Sequence, residues 1–297
     1  MYREINRVKE KMKPYILLLP VTIIIVYILG VGIINSLGQS LGYFPTVGLN
    51  EITLKYYKEV LISKEFIESL KFSLFTCTIS SLIAEFIGVI LAYIIFLNKK
   101  RSKILDVIYK IPIIIPHTVA VLLIINMLSQ NGILARILYN LGLISSRNVF
   151  PTLIMDRLGI GIVITYAWKE IPFIILVIYA VLTNIDEKMW HLSRTLGASR
   201  IQTFLKVIFP ILMPSILSSF IIIFAFSFGA FEVPYLLGPT TPKLLPVKAY
   251  IEYSSPDLTN RPYAMVINTI LIVISTFLIV LYKKSLDIFK KRNLNNK

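Results

Sequence analysis

Six long apolar runs divide this chain and constrain its fold more than any other feature. They cover about residues 15–37, 67–97, 108–129, 159–182, 211–231 and 263–282. A helix needs about 20 mainly apolar residues to cross the roughly 30 Å hydrocarbon core of a bilayer. With 56% hydrophobic and only 16% charged residues, the composition also fits an integral membrane protein. We therefore predict an all-α membrane protein with six transmembrane helices.

The positions of the basic residues predict how the spans are oriented. Twenty of the 31 Lys and Arg residues fall in the N-terminal segment, after span two, between spans four and five, and in the tail. Ten fall on the other side, and Lys169 lies inside span four. The positive-inside rule then places both termini in the cytoplasm. We predict a cytoplasmic segment over residues 1–14, a transmembrane domain over 15–282 and a basic cytoplasmic tail over 283–297, in the cell membrane.

The segment between spans four and five, residues 184–210, has the pattern of two short helices around a glycine. Gly197 predicts the end of the first helix, because glycine enters the left-handed conformation at little cost. Ser199 and Gln202 form a capping-box pattern for the second helix, which Pro210 is expected to end or kink. The pair is amphipathic, basic and too short to span, so it predicts a cytoplasmic docking element. Its apolar positions are Met189, Leu192, Leu196, Ile201, Phe204, Leu205 and Ile208.

The same segment resembles the coupling loop of binding-protein-dependent ABC importer permeases. That signature is E-A-A, three residues, G, nine residues, then I-x-L-P. Gly197 and Pro210 stand at the required spacing, whereas His191, Leu192 and Ser193 replace E-A-A. Stretches 228–238, 168–173 and 112–116 are similar to permeases of the polyamine, iron and phosphonate subgroup, so the resemblance covers roughly residues 50–285.

The resemblance implies a type I importer in which this chain is a permease subunit. Its implied partners are cytoplasmic ABC ATPase subunits, a second permease subunit that is identical or related, and an extracytoplasmic solute-binding protein. The chain itself would not be an enzyme, would bind no cofactor, metal or nucleic acid, and would have no catalytic residue. The implied coupling-loop residues are His191, Leu192, Ser193, Arg194, Leu196, Gly197, Ala198, Ile201, Phe204, Leu205 and Pro210.

Polar residues inside the spans are candidates for a translocation path: Glu85, Asn126, Lys169, Glu170 and Glu232. Such residues usually face protein or water. The alternative is that they hold the helices together by buried hydrogen bonds. Lys169 and Glu170 should have different partners, because neighbouring residues point about 100° apart on a helix. Three carboxylates facing one cavity would suit a polyamine-like cation, which the sequence favours. Lys169 would suit an anion such as a phosphonate, and iron is a third alternative.

Two other classes of membrane protein fit the sequence less well. A secondary transporter of a small polar solute would predict internal repeats with broken helices in matching halves, and no such matched pair is visible. A membrane-embedded enzyme would need a His/Glu/Asp or Ser/His/Asp set at bilayer depth, and the two histidines have no such neighbours. The sequence therefore favours an importer permease.

Overall fold

The protein is almost entirely helical. A computed structural model describes residues 2–98, 107–185 and 187–295. Part of the basic loop after span two lies outside the described residues. Among the described residues, six segments are long and apolar enough to cross a membrane, which confirms the predicted fold: Met12–Ser40, Lys64–Leu97, His117–Asn140, Ile160–Leu182, Arg200–Gly229 and Leu258–Lys284. The third of them is interrupted by a turn at residues 129–132.

The chain forms two compact units, residues 1–62 with 249–269, and residues 63–248 with 270–297. The helices are α1 (Tyr2–Ser40), α2 (Lys55–Ile62), α3 (Lys64–Leu97), α4 (Ile111–Ile114), α5 (His117–Leu128), α6 (Ile133–Asn140), α7 (Ile160–Leu182), α8 (Glu187–Thr195), α9 (Arg200–Thr203), α10 (Phe209–Gly229), α11 (Glu232–Leu237), α12 (Leu245–Tyr253) and α13 (Arg261–Asn295).

In the first unit, α1 exposes its apolar side chains along most of its length, as a lipid-facing helix does. At the end of α1, the hydroxyl of Ser40 lies 2.8 Å from that of Tyr57 on α2. Helix α2 begins only at Lys55. The reason is that the Thr53 amide is bonded to the Leu41 carbonyl at 2.7 Å, which holds the preceding residues in a non-helical turn.

The core of the second unit is the packing of α3 against α7, with α10 on both. Small residues recur every four positions along one face of α3, at Ala84, Gly88 and Ala92. This spacing lets two membrane helices approach closely. A Cβ atom built on Gly88 would stand only 2.7 Å from the Ile174 side chain. Glycine is therefore required where α3 crosses α7.

Span three is broken, which corrects the prediction of one continuous helix over 108–129. α4 ends at Ile114, Ile115 is extended (ψ 125°), and α5 begins after Pro116. Proline disfavours the helical conformation of the residue before it and supplies no backbone N–H. Span five also ends two residues earlier than predicted, because Ala230 after Gly229 is extended (ψ 138°).

Candidate functional site

The first docking helix, α8, ends in a glycine motif. Gly197 has φ +83°. Its amide donates to the Arg194 carbonyl at 3.0 Å, and the Ala198 amide donates to the Ser193 carbonyl at 3.1 Å. These two bonds form a Schellman motif, which satisfies carbonyls that the helix end would leave free. The turn between the two short helices is thereby held in one conformation.

The second docking helix starts with a capping box and then continues into span five. The Ser199 amide donates to Gln202 Oε1 at 2.9 Å, and the Gln202 amide donates to Ser199 Oγ at 3.2 Å. Of the two alternatives predicted for Pro210, that it ends or that it kinks this helix, the first is wrong, because the helix continues past it. A π-helical turn over Phe204–Ile208 follows α9, and the Phe209 amide donates to the Phe204 carbonyl. The wider turn accommodates a proline that cannot supply the i to i−4 bond.

The apolar side chains of this segment divide into two groups. Leu192, Leu196, Ile201 and Leu205 are 63%, 86%, 72% and 55% exposed, and we call these four the exposed ridge. Phe204 was predicted to lie with them, but its ring packs 4.3 Å from that of Tyr93 on α3, because the π turn rotates it inward.

A polar contact joins the two short helices. The hydroxyls of Ser193 and buried Thr203 lie 3.0 Å apart. Three other predicted coupling-loop residues lie near this contact in the sequence. Arg194 and Pro210 are exposed, and Ala198 is half-buried. The side chain of His191 lies outside the described residues.

Lys169 closes the break in span three. Its side chain is buried, and its ammonium donates to the Pro112 carbonyl at 2.7 Å and to the Ile115 carbonyl. Pro116 cannot donate to the Pro112 carbonyl, and Ile115 is extended, so both acceptors lack their helical donors. The charged side chain of span four therefore supplies the hydrogen bonds that the broken span three cannot make for itself.

The two buried carboxylates, Glu85 and Glu170, each accept a hydrogen bond from a serine of α10. Ser219 donates to Glu85 at 2.9 Å, and Ser227 donates to Glu170 at 2.6 Å. The two serines are eight residues apart, which is about 12 Å along a helix. The carboxylates thus contact α10 at different depths. Lys169 and Glu170 have different partners, as predicted from their positions on the helix.

The other two path candidates are exposed. The Asn126 amide donates to the Leu122 carbonyl of its own helix at 2.8 Å. Glu232 is not in span five but in the first turn of the short helix α11, because Ala230 ends the span. A carboxylate in that place interacts favourably with the amide end of the helix dipole. The five candidates therefore differ in burial and in their hydrogen-bond partners.

Sequence analysis missed Ser219 and Ser227, the partners of the buried carboxylates. Both lie in the apolar run of span five, and each also donates to a carbonyl of its own helix. Serine side chains inside a membrane helix are a signal of contacts between helices even where they also bond to their own helix. The sequence could not assign them to particular carboxylates, because the partners are 134 and 57 residues away.

Comparison with known proteins relates this arrangement to transport. Residues 85–290 match the family described as binding-protein-dependent transport system inner membrane component. The molybdate/tungstate transport system permease protein WtpB of Methanocaldococcus jannaschii is 30% identical over 220 residues, 73% of this chain and 81% of the relative. The spermidine/putrescine transport system permease protein PotB of Haemophilus influenzae is 28% identical over 165 residues, 56% of this chain and 55% of the relative.

The fold also matches a solved structure. A chain of a bacterial ABC transporter involved in the import of the acidic polysaccharide alginate superposes with a TM-score of 0.72 at 21% identity. The match covers 95% of this chain and 99% of that one. At this level of identity the likeness establishes the arrangement of helices.

Proposed function

The chain belongs to the family of binding-protein-dependent transport system inner membrane components, and from that premise we propose how it couples to its partners and what it carries. Members are permease subunits of ABC importers. We propose that the exposed ridge seats in a cytoplasmic ATPase subunit, which hydrolyses ATP. A second permease subunit and an extracytoplasmic solute-binding protein complete the assembly.

The observation that supports ATPase docking is the exposed ridge itself. Four large apolar side chains are exposed on a basic segment between two spans, and exposed apolar patches of this kind mark interaction sites. Arg194 and Arg200 are exposed beside them and can contact acidic groups at the rim of a socket. Because α9 continues through the π turn into α10, movement of the docked helices would be transmitted directly to span five.

A substitution in the ridge tests docking. Leu192→Glu and Leu196→Glu place a charge in the proposed contact and should reduce co-purification of the ATPase by at least about tenfold, since burying an unpaired charge costs more than 1.4 kcal/mol. Leu158→Glu is the matched control, because Leu158 is as exposed as Leu192, at 63%. Full ATPase recovery with both ridge variants would refute this docking surface.

We place the ridge and both termini in the cytoplasm, from the twofold excess of basic residues on that side. The only cysteine, Cys77, is buried, so introduced cysteines can be labelled selectively. In intact cells, a membrane-impermeant maleimide should label Leu158→Cys and leave Leu196→Cys unlabelled until the cells are opened. The reverse pattern would overturn the orientation.

For the solute we propose a small tetrahedral oxyanion. The relative that matches 73% of this chain is a molybdate/tungstate permease. The sequence argument for a polyamine required three carboxylates facing one cavity, and Glu85 and Glu170 are buried against separate serines. A polyamine remains the second candidate, because Glu232 is exposed and the PotB relative carries spermidine and putrescine.

The solute is tested on the solute-binding protein recovered with this chain after mild crosslinking. Its thermal unfolding is measured with molybdate, sulfate, putrescine and spermidine in turn. Stabilisation by an oxyanion supports the proposal, and stabilisation by a polyamine replaces it with the second candidate. Stabilisation by none of the four would refute both.

A further inference from the structure

A basic pocket lies in the segment that joins spans three and four. It has a volume of about 740 Å³, within the range of roughly 300–1,000 Å³ found for ligand sites. From residue 107 to residue 155 the sequence contains no Asp or Glu, so no nearby carboxylate of this segment neutralises the pocket. Its lining residues include Gln130, Asn131, Arg136, Tyr139, Asn140 and Arg147.

Both arginines donate a hydrogen bond to Asn131. Arg136 Nε donates to the backbone carbonyl of Asn131 at 3.0 Å, and Arg147 Nη1 lies 3.4 Å from Asn131 Oδ1. A guanidinium has five N–H donors, so each arginine keeps further donors for a ligand. Among the described residues, neither arginine forms a salt bridge. Paired guanidinium groups with spare donors match the geometry of a phosphate.

The pocket lies beyond the end of α5, after the turn that interrupts the candidate span His117–Asn140. α4 has 4 residues and α5 has 12, which gives about 24 Å of helix, and the two residues of the break between them add to that length. Together they approach the thickness of the hydrocarbon core. The chain then folds back tightly at Gly132, where a Cβ would stand 2.7 Å from the Asn126 carbonyl oxygen. α6 therefore begins at the membrane interface.

α6 carries an apolar surface beside the arginines. Ile133 and Ile137 lie one turn apart on the same side of the helix and are 47% and 48% exposed, and Leu141 continues this row. Arg136 is adjacent to the row, and exposed Tyr139 lines the pocket. A short amphipathic helix with basic residues and an aromatic residue at its edge is typical of a segment lying in the headgroup region.

We propose that this pocket binds the headgroup phosphate of an anionic phospholipid. Arg136 and Arg147 contact the phosphate, and the acyl chains lie along Ile133, Ile137 and Leu141. The two positive charges, which form no salt bridge among the described residues, favour a headgroup of net negative charge over a zwitterionic one. The exposed apolar row favours a lipid over a free oxyanion, because a free oxyanion has no apolar part that could pack against it.

The test uses the full chain in nanodiscs that contain equal amounts of phosphatidylglycerol and phosphatidylcholine. After extraction into mild detergent, retained lipid is quantified by mass spectrometry. Arg136→Gln together with Arg147→Gln removes two charge-assisted contacts and should lower retained phosphatidylglycerol by at least about tenfold, the effect expected for one of them alone. Arg157→Gln, an exposed arginine outside the pocket, should leave it unchanged, and Arg136→Lys with Arg147→Lys should retain most of it.

A second measurement does not depend on arginine variants. Tryptophan fluorescence of Ile137→Trp should be quenched more by brominated phosphatidylglycerol than by brominated phosphatidylcholine. Equal quenching, or equal lipid retention by the glutamine variant, would overturn the proposal. Displacement of the lipid by millimolar inorganic phosphate alone would reassign the pocket to free anions. If the double glutamine variant retains the lipid but no longer binds the solute-binding protein, the pocket is a protein contact site and the lipid proposal is wrong.

Discussion

Replacing Lys169 by methionine tests whether its ammonium holds the broken span three together. Methionine keeps most of the side-chain volume but leaves the carbonyls of Pro112 and Ile115 without donors in the protein interior. An unsatisfied buried carbonyl costs about 1–3 kcal/mol. Two of them cost roughly 2–6 kcal/mol, part of which is offset because no ammonium then has to be buried. We expect a net loss of about 2–4 kcal/mol in the free energy of unfolding.

The buried thiol of Cys77 provides the assay. It is 0% exposed, so a thiol-reactive fluorophore reports its exposure as the protein unfolds in detergent. The expected loss corresponds to a midpoint lowered by roughly 5–10 °C. Lys64→Met is the control, because the Lys64 side chain is 91% exposed and its only described ion pair is with Glu68. The midpoint of that variant should stay within about 2 °C of the parent chain.

A double-mutant cycle identifies the cause. Pro116→Ala restores an N–H four residues after Pro112, so the Pro112 carbonyl can recover a backbone donor. The penalty of Lys169→Met should therefore be smaller in the Pro116→Ala background. An unchanged unfolding midpoint in Lys169→Met would refute the role of the ammonium. If the effects of Lys169→Met and Pro116→Ala on stability simply add, the loss of the ammonium acts at a place other than the Pro112 carbonyl.

Two further substitutions test the packing and the start of span four. Gly88→Ala places a methyl 2.7 Å from the Ile174 side chain and should lower the free energy of unfolding by about 1–3 kcal/mol. Gly32→Ala is the control, because a Cβ there meets nothing within 4 Å. Equal unfolding midpoints of the two variants would refute close packing of α3 and α7. Asp156 accepts from the amides of Leu158 and Ile160 at 2.9 and 2.8 Å, so Asp156→Ala should cost about 1 kcal/mol, measured by the same thiol assay. Asp156→Asn keeps one acceptor oxygen where Leu158 and Ile160 use two, so it should recover about half of that loss, and an unchanged midpoint in Asp156→Ala would refute the role of this cap.

The local features of the docking segment could be predicted because their causes are local. A glycine at the end of an amphipathic pattern and a serine three residues before a glutamine act within one turn of chain. Gly197 at φ +83° and the Ser199–Gln202 pair follow from such short-range rules. The π turn before Pro210 was not predicted, because a proline can be accommodated in several ways and neighbouring packing selects among them.

The sequence by itself determined the six spans, the basic asymmetry and the family, since each depends on residues close together in the chain or on their overall pattern. Only the tertiary structure decided what the buried polar residues do. Lys169 reaches carbonyls 54 and 57 residues away, and Glu85 reaches a serine 134 residues away. Inside a bilayer an unpaired polar group is costly, so buried polar side chains are selected for the partners they can reach. Which partner each one has depends on how the helices pack, and that information is not carried by any single stretch of sequence.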